Sequence, residues 1–198
     1  LMFDGAMSEA QVLVNGTKVC FWPYGYNSFH CDITADLKVG ANEVTVLLEN
    51  RPQSSRWYPG AGLYRKVRHI TLPQVHIPVW GTYITTPHIE KDYATVNIKT
   101  KVEGVENGSV ITVRTKIIDI EDMNVIAQST DTRPLFNGEI EQNIIVNDPL
   151  LWSPEDPNLY QACTEIYLGG SIATDWNTDS PALTITHGTQ PQAPKRTR

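Results

Sequence analysis

The sequence predicts an all-β chain built as two successive sandwich domains, and three observations carry that prediction. Its apolar residues alternate with polar ones at period two in run after run, for example Ala94, Val96, Ile98 and Val102 against Thr95, Asn97, Lys99 and Lys101. No segment sustains the 3.6-residue period of an amphipathic helix. Turn residues punctuate the runs at short intervals, and a composition with 13 Gly and 13 Pro suits a loop-rich β protein.

In order along the chain, Met2-Phe3 leads into Asp4-Gly5. Gln11 to Val14 and Lys18 to Phe21 then flank Asn15-Gly16, a dipeptide that tolerates two positive φ angles and so marks a tight hairpin. Ser28 to Ile33 alternates, with Phe29, Cys31 and Ile33 on one face, and Glu43 to Glu49 reads as a further strand. A loop from Asn50 to Gly62 follows, and Leu63 to Leu72 closes the first domain, residues 1–73.

Pro73 to Gly81 reads as a linker or a first strand, its prolines demoting it to an edge. In the second domain, residues 74–169, Tyr93 to Val102 is the clearest strand, and Val110 to Ile120 returns with Ile111, Val113 and Ile117 on one side. Val125 to Ser129 and Ile140 to Val146 follow, and Tyr160, Ala162, Thr164, Ile166 and Leu168 form a last alternating face. This rhythm of short strands fits an immunoglobulin-like sandwich, with Trp152 expected as its buried staple. From residue 170 to 198 Pro, Thr, Gln, Asn and Ser dominate, and a polar, disordered tail is expected.

A net charge of −6 argues against nucleic acid, which calls for a concentrated basic surface. No run reaches the ~20 apolar residues of a membrane span. The three cysteines cannot all pair, and Cys20 and Cys31 fall within expected strands, so buried free thiols are expected. The five histidines are scattered without ligand spacing, so neither a metal nor another cofactor is implied. Asn15-Gly16-Thr17 and Asn107-Gly108-Ser109 are glycosylation sequons, but turn formation accounts for both.

The most specific stretch is Arg56-Trp57-Tyr58-Pro59-Gly60-Ala61-Gly62-Leu63-Tyr64-Arg65. Pro59, Gly60 and Gly62 describe a folded loop, with Trp57 and Tyr58 on its outer limb. Flat aromatic faces beside Arg56 suit a sugar ring, which offers C–H groups to stack and hydroxyls to bond; equally, the aromatics could plug the end of a sandwich. The run Trp57 to Arg65 resembles the end of the N-terminal jelly-roll domain in glycoside hydrolase family 2, the β-galactosidase-like enzymes. Gly25-Tyr26-Asn27-Ser28-Phe29 followed by Asp32-Ile33-Thr34 is similar to a second phrase of that family. Leu151 to Tyr160, with Leu-Trp-Ser-Pro-Glu at its start, is similar to a third.

The resemblance implies a partial, galactose-binding-like jelly roll followed by the immunoglobulin-like domain. It also implies that catalysis belongs to a (β/α)₈ barrel, preceded by an F-G-[IFV]-R phrase that this sequence lacks. Retaining glycosidases work with two carboxyls about 5–5.5 Å apart, and family 2 enzymes carry both on the barrel, the acid/base in an Asn-Glu pair. Asn42-Glu43 is the only such pair here; it opens an expected strand and reads as chance. Glu155-Asp156, between two prolines, reads as part of a turn. No catalytic residue is therefore expected in this chain.

Jelly-roll loops in the resembled enzymes reach the rim of the barrel's active site, which implies substrate-rim roles for Arg56, Trp57 and Tyr58. Where some galactose-specific members place an acidic sugar ligand, this chain has Ser55 and Arg56. The expected function is thus a non-catalytic portion of an enzyme hydrolysing O-glycosidic bonds. Its partners would be the carbohydrate substrate and the catalytic barrel, with no nucleic acid and no membrane, and a homo-oligomer left open. Two alternatives stand beside it: a carbohydrate-binding module with Trp22, Tyr24, Trp57 and Tyr58 as its platform, or a structural, adhesive sandwich. The sequence leaves cytoplasm and periplasm equally open.

Overall fold

The computed structural model describes residues 1–53, 60–176, 182–183 and 185. They form an all-β structure of antiparallel sheets that divides into two compact units, residues 1–71 and 72–198.

In the first unit, β1 (Met2–Phe3) lies between β4 (Phe29–His30) and β6 (Val67–Arg68), and β2 (Ala10–Val14) lies between β3 (Thr17–Trp22) and β5 (Val44–Leu47). The hairpin β2–β3 closes where the sequence places it: Val14 pairs with Thr17, with Asn15 at φ 50° and Gly16 at φ 84°. Alternation sends Ala10, Val12 and Val14 inward, where they meet Phe3 and Phe29 from the other sheet. Phe29 is sandwiched between stacked rings, Phe3 at 4.7 Å and Trp22 at 5.7 Å between centroids. The expected strand over residues 28–33 is cut to Phe29–His30, yet Cys31 and Ile33 are buried with Phe29 as the alternation required.

The expectation of free thiols at Cys20 and Cys31 is corrected. They form a disulfide, with Cα atoms 5.9 Å apart, that ties β3 to the segment after β4 and so links the two sheets. The pairing was hidden in the sequence because it depends on which strand ends meet across the core. Cys163 stands outside any disulfide and is buried, as expected.

In the second unit, β8 (Tyr93–Lys101) lies between β11 (Glu139–Asn147) and β7 (Thr82–Ile89). The facing sheet runs β10 (Val125–Pro134), β9 (Val110–Asp119), β12 (Tyr160–Leu168) and β13 (Ser171–Trp176), with β14 (Ala182–Leu183) also on β12. Val96, Ile98, Ile117, Ile144, Val146 and Tyr160 meet in one buried cluster between them. A second cluster takes in Val75 and Ile77, so the segment expected as linker or first strand is packed into this unit, with His76 bridged to Glu103.

Strand β7 had no counterpart in the sequence reading. Pro87 interrupts its alternation, and the pairing with β8 shifts register between Thr85 and His88, an irregularity that an edge strand absorbs. Trp152 is not the buried staple; it is 36% exposed, bridged to Pro157 in a turn. The interior instead holds a polar contact across the two sheets: Thr115 donates to Gln142 Oε1 at 2.7 Å, and Gln142 donates to the Val113 carbonyl at 3.2 Å. Among the described residues its buried side-chain nitrogen and oxygen atoms find partners, the Thr100 hydroxyl excepted, and satisfied polar groups are what keep such a core stable.

The expectation of a disordered tail from residue 170 is also corrected for the described residues. Ile172 and Ala173 lie in β13, which pairs with β12. Ile185 is fully buried, and its carbonyl accepts from Trp152 N at 2.8 Å. The edge of β12 not taken by β9 leaves backbone groups to be paired, and these strands supply the partners.

Candidate functional site

The site is best built from Met7 and Ser8, a dipeptide between β1 and β2 that holds two loops. Ser8 exchanges backbone hydrogen bonds with Glu49, and its hydroxyl also donates to the Glu49 carbonyl at 2.8 Å. Met7 exchanges a second pair with Gly62, 3.0 and 3.2 Å. Glu49 and Gly62, on either side of residues 50–61, are therefore pinned on adjacent residues. Arg56, Trp57 and Tyr58, the rim residues expected from the sequence, belong to this loop and lie outside the described residues.

The second loop, residues 23–28, is held against the same dipeptide. Glu9 N donates to the Pro23 carbonyl at 3.1 Å. Gly25 is buried directly on Met7, where a Cβ would come within 2.4 Å of the Met7 sulfur and 3.2 Å of its Cα. Tyr64 reaches across from the far limb of the first loop and donates its hydroxyl to the Gly25 carbonyl at 2.8 Å. Gly5 makes room for that ring, since a Cβ there would sit 2.8 Å from Cζ of Tyr64. At both positions an added Cβ would press on a neighbouring side chain, which would have to shift to admit it.

With Gly25 turned inward, its neighbours face out. Tyr24 is 56% and Tyr26 48% exposed, and their rings lie 5.6 Å apart at an interplanar angle of 59°. Asn27 beside them is exposed too. Of the aromatics weighed from sequence as a platform, Tyr24 is exposed, while Trp22 is half-buried against Phe29 and its buried indole N–H has no hydrogen-bond partner among the described residues. Tyr26, also exposed, was not among them.

The carboxylates near these loops are occupied. Arg51 pairs with Glu49 and Glu9, each at 2.9 Å. The Arg51 guanidinium, by hydrogen bonding and then by charge, holds the Glu49 carboxyl below its usual range. A general acid at neutral pH needs the opposite shift. Asn42 serves as a clamp: its Oδ1 accepts from Asn15 Nδ2 and Lys38 N, and its Nδ2 donates to the carbonyls of Lys38 and Gly40. Glu43 simply follows it, exposed, just before β5. In the turn with Glu155 and Asp156, the Ser153 hydroxyl accepts from Asp156 N at 2.9 Å.

In the second unit, Glu165 is the hub of the strongest ionic cluster among the described residues. Lys116 donates to its Oε1 at 2.8 Å, Tyr167 to its Oε2 at 2.9 Å, and Arg114 pairs with Oε2 as well. Burial alone would raise its pKa, but the three donors and the Lys116 charge outweigh it and bring it to about 2. A carboxylate so firmly ionised is a structural anion. Among the described residues no three His, Cys, Asp or Glu side chains gather where they could hold a metal ion.

The sequence profile of the Glycosyl hydrolases family 2 matches residues 75–181, more than half of the chain. The chain belongs to glycosyl hydrolase family 2. It is 32% identical over 169 residues to the β-galactosidase BoGH2A of Bacteroides ovatus, an alignment covering 83% of this chain and 20% of that protein. It is 26% identical to a β-glucuronidase of Formosa agariphila, covering 83% of this chain and 19% of the other.

Among solved structures, a glycosyl hydrolase family 2 member from Bacteroides cellulosilyticus superposes with a TM-score of 0.81 at 28% identity, over 93% of this chain and 24% of that one. A β-glycosidase from Bacteroides vulgatus gives a TM-score of 0.82 at 25% identity, over 93% and 23%. The chain thus corresponds to the N-terminal β-sandwich region of family 2, and it spans about a fifth of the length of the curated relatives it matches. The resemblance drawn from Trp57–Arg65, Gly25–Phe29 and Leu151–Tyr160 is borne out at the level of family and fold.

Proposed function

We propose that this chain is the non-catalytic, scaffolding part of a family 2 glycoside hydrolase that cleaves O-glycosidic bonds. Residues 1–73 act as a partial jelly roll, sugar-binding-like in fold, and residues 74–169 as an immunoglobulin-like domain. Together they support and rim a catalytic barrel carried elsewhere in the full-length enzyme, and Arg56, Trp57 and Tyr58 face the substrate from the loop held by Met7 and Ser8.

One observation carries this reading: the family match covers most of a chain that is only about a fifth of its relatives' length. The chemistry of the described carboxylates agrees with it, since Glu49, Glu9 and Glu165 are neutralised by Arg51, Arg114 and Lys116. The names of the relatives point to β-galactosides and β-glucuronides as the substrates to test.

The experiment is a turnover assay of the purified 198-residue chain on nitrophenyl β-galactoside and β-glucuronide. No release of nitrophenol is expected. Turnover that persists through purification and disappears on mutating a carboxylate within residues 1–168 would overturn the reading.

A further inference from the structure

We propose that Asn137 is a site of spontaneous deamidation, and that the fold holds back the other two Asn-Gly pairs of the chain. Asn15, Asn107 and Asn137 each precede a glycine. With no side chain on that following residue, its backbone nitrogen can reach the asparagine carboxamide unhindered, so local sequence makes the three pairs alike. In the reaction Gly138 N forms a bond to Cγ of Asn137 and the Cγ–Nδ2 bond breaks. The Nδ2 group leaves as ammonia, taking the proton given up by Gly138 N. Water then opens the five-membered imide at one carbonyl or the other, leaving an aspartyl or an isoaspartyl residue at position 137. Water is the only co-reactant.

What separates the three is whether the reacting groups are already engaged. Asn15 is half-buried, and both ends of its carboxamide are held. Its Nδ2 donates to the Asp36 carbonyl and to Asn42 Oδ1, each at 2.9 Å, and its Oδ1 accepts from Glu43 N at 3.2 Å. Asn107 is exposed, but its Oδ1 accepts from Asn137 N at 3.2 Å. The nitrogen that would attack it, Gly108 N, donates to the Leu135 carbonyl at 2.7 Å. Asn137 is exposed, and among the described residues neither its carboxamide nor Gly138 N has a hydrogen-bond partner. Backbone shape does not explain the difference from Asn15. Asn137 and Gly138, at φ 58° and 66°, repeat the two positive angles of Asn15 and Gly16, at φ 50° and 84°. The bonds around Asn15 and Asn107 must open before ring closure, which slows the reaction there by about tenfold or more.

The product matters because of where the turn sits. Asn137 and Gly138 connect β10 to β11, and the Gly138 carbonyl accepts from the N–H of buried Val102 at 2.8 Å. Both products add a negative charge to this turn. The isoaspartyl product also routes the main chain through Cβ, adding one backbone atom just ahead of that carbonyl and shifting it from Val102. The second unit is therefore the part that ageing weakens.

The test is to age the 198-residue chain at mildly alkaline pH, once folded and once in concentrated urea, and to follow the three Asn-Gly peptides by mass spectrometry after digestion. In the folded chain, loss at Asn137 should outpace loss at Asn15 and Asn107 by about tenfold or more. In urea the three rates should converge, because the fold that distinguishes them is gone. Asn137→Gln lengthens the side chain by one carbon and disfavours the ring, so the fast loss should disappear in that variant. Its second unit should also keep its unfolding midpoint on ageing, while that of the parent falls.

The proposal is overturned if Asn15 or Asn107 is lost as fast as Asn137 in the folded chain, or if Asn137 stays intact there. The same ranking in urea would overturn it as well, by tracing the difference to neighbouring sequence instead of the fold. None of these results touches the scaffold reading.

Discussion

Tyr64 donates its hydroxyl to the carbonyl oxygen of Gly25 at 2.8 Å, joining two loops 39 residues apart in the chain. The bond does two jobs: it satisfies a carbonyl of a buried residue, and it fixes the loop from which Tyr24 and Tyr26 project. Tyr64→Phe keeps the ring over Gly5 and removes only the donor, so a loss of about 1 kcal/mol in the first unit is expected. Chemical denaturation would measure it. Faster amide exchange at residues 25–28 should accompany it, and unaltered exchange there would mean that the bond does not hold the loop.

The Glu165 cluster makes the second unit acid-sensitive. Its pKa is brought from the ordinary 4.5 to about 2 in the folded protein. A carboxyl whose folded pKa is depressed contributes stability that is complete above about pH 4.5 and is lost as the pH falls toward 2. Urea midpoints of the second unit should therefore drop across that window. Glu165→Gln should lower stability at pH 7 by about 1–3 kcal/mol, through weaker bonds to Arg114, Lys116 and Tyr167, and should flatten the drop. Parallel pH profiles for parent and variant would count against this assignment.

Cys20 and Cys31, separated by 11 positions, close a short loop across the two sheets of the first unit. Cross-linking a loop of that size stabilises by about 2–3 kcal/mol. Adding reductant, or Cys20→Ser with Cys31→Ser, should lower the unfolding midpoint of the first unit while leaving that of the second in place. Denatured oxidised protein should titrate one thiol, that of Cys163, and reduced protein three.

Gly104 has φ 79°, and a Cβ there would lie 1.8 Å from the carbonyl oxygen of Gln74. A backbone atom cannot swing aside as the end of a side chain can. Gly104→Ala combines this overlap with an unfavourable backbone angle and should destabilise the second unit by about 3 kcal/mol or more. Gly16→Ala is a useful comparison, because φ is 84° there but nothing lies within 4 Å of the added carbon. It should cost about 1 kcal/mol. Equal melting temperatures for the two variants would contradict the role given to Gln74.

What the sequence alone determined is what depends on near neighbours. Alternation over residues 94–100 was enough to say which side chains are buried, because a strand turns successive residues to opposite faces; over 160–166 it gave Tyr160, Ala162, Thr164 and Ile166, while Cys163 between them is buried as well. Asn15-Gly16 was enough for the first hairpin, because two adjacent positive φ angles favour those residues. The phrases at Gly25–Phe29, Trp57–Arg65 and Leu151–Tyr160 were enough for the family.

The tertiary structure decided everything that depends on distant partners. Strand β7 exists because β8 offers it an edge, despite Pro87; residues 171–176 are ordered against β12 despite their composition. Cys20 and Cys31 meet across two sheets that the local sequence does not specify, Trp152 is partly exposed, and the interior between the sheets carries the Thr115–Gln142 contact. The outward pair Tyr24 and Tyr26 belongs to the same class. Nothing local turns those rings to solvent; the contact of Gly25 with Met7, and the reach of Tyr64 from the other loop, do so.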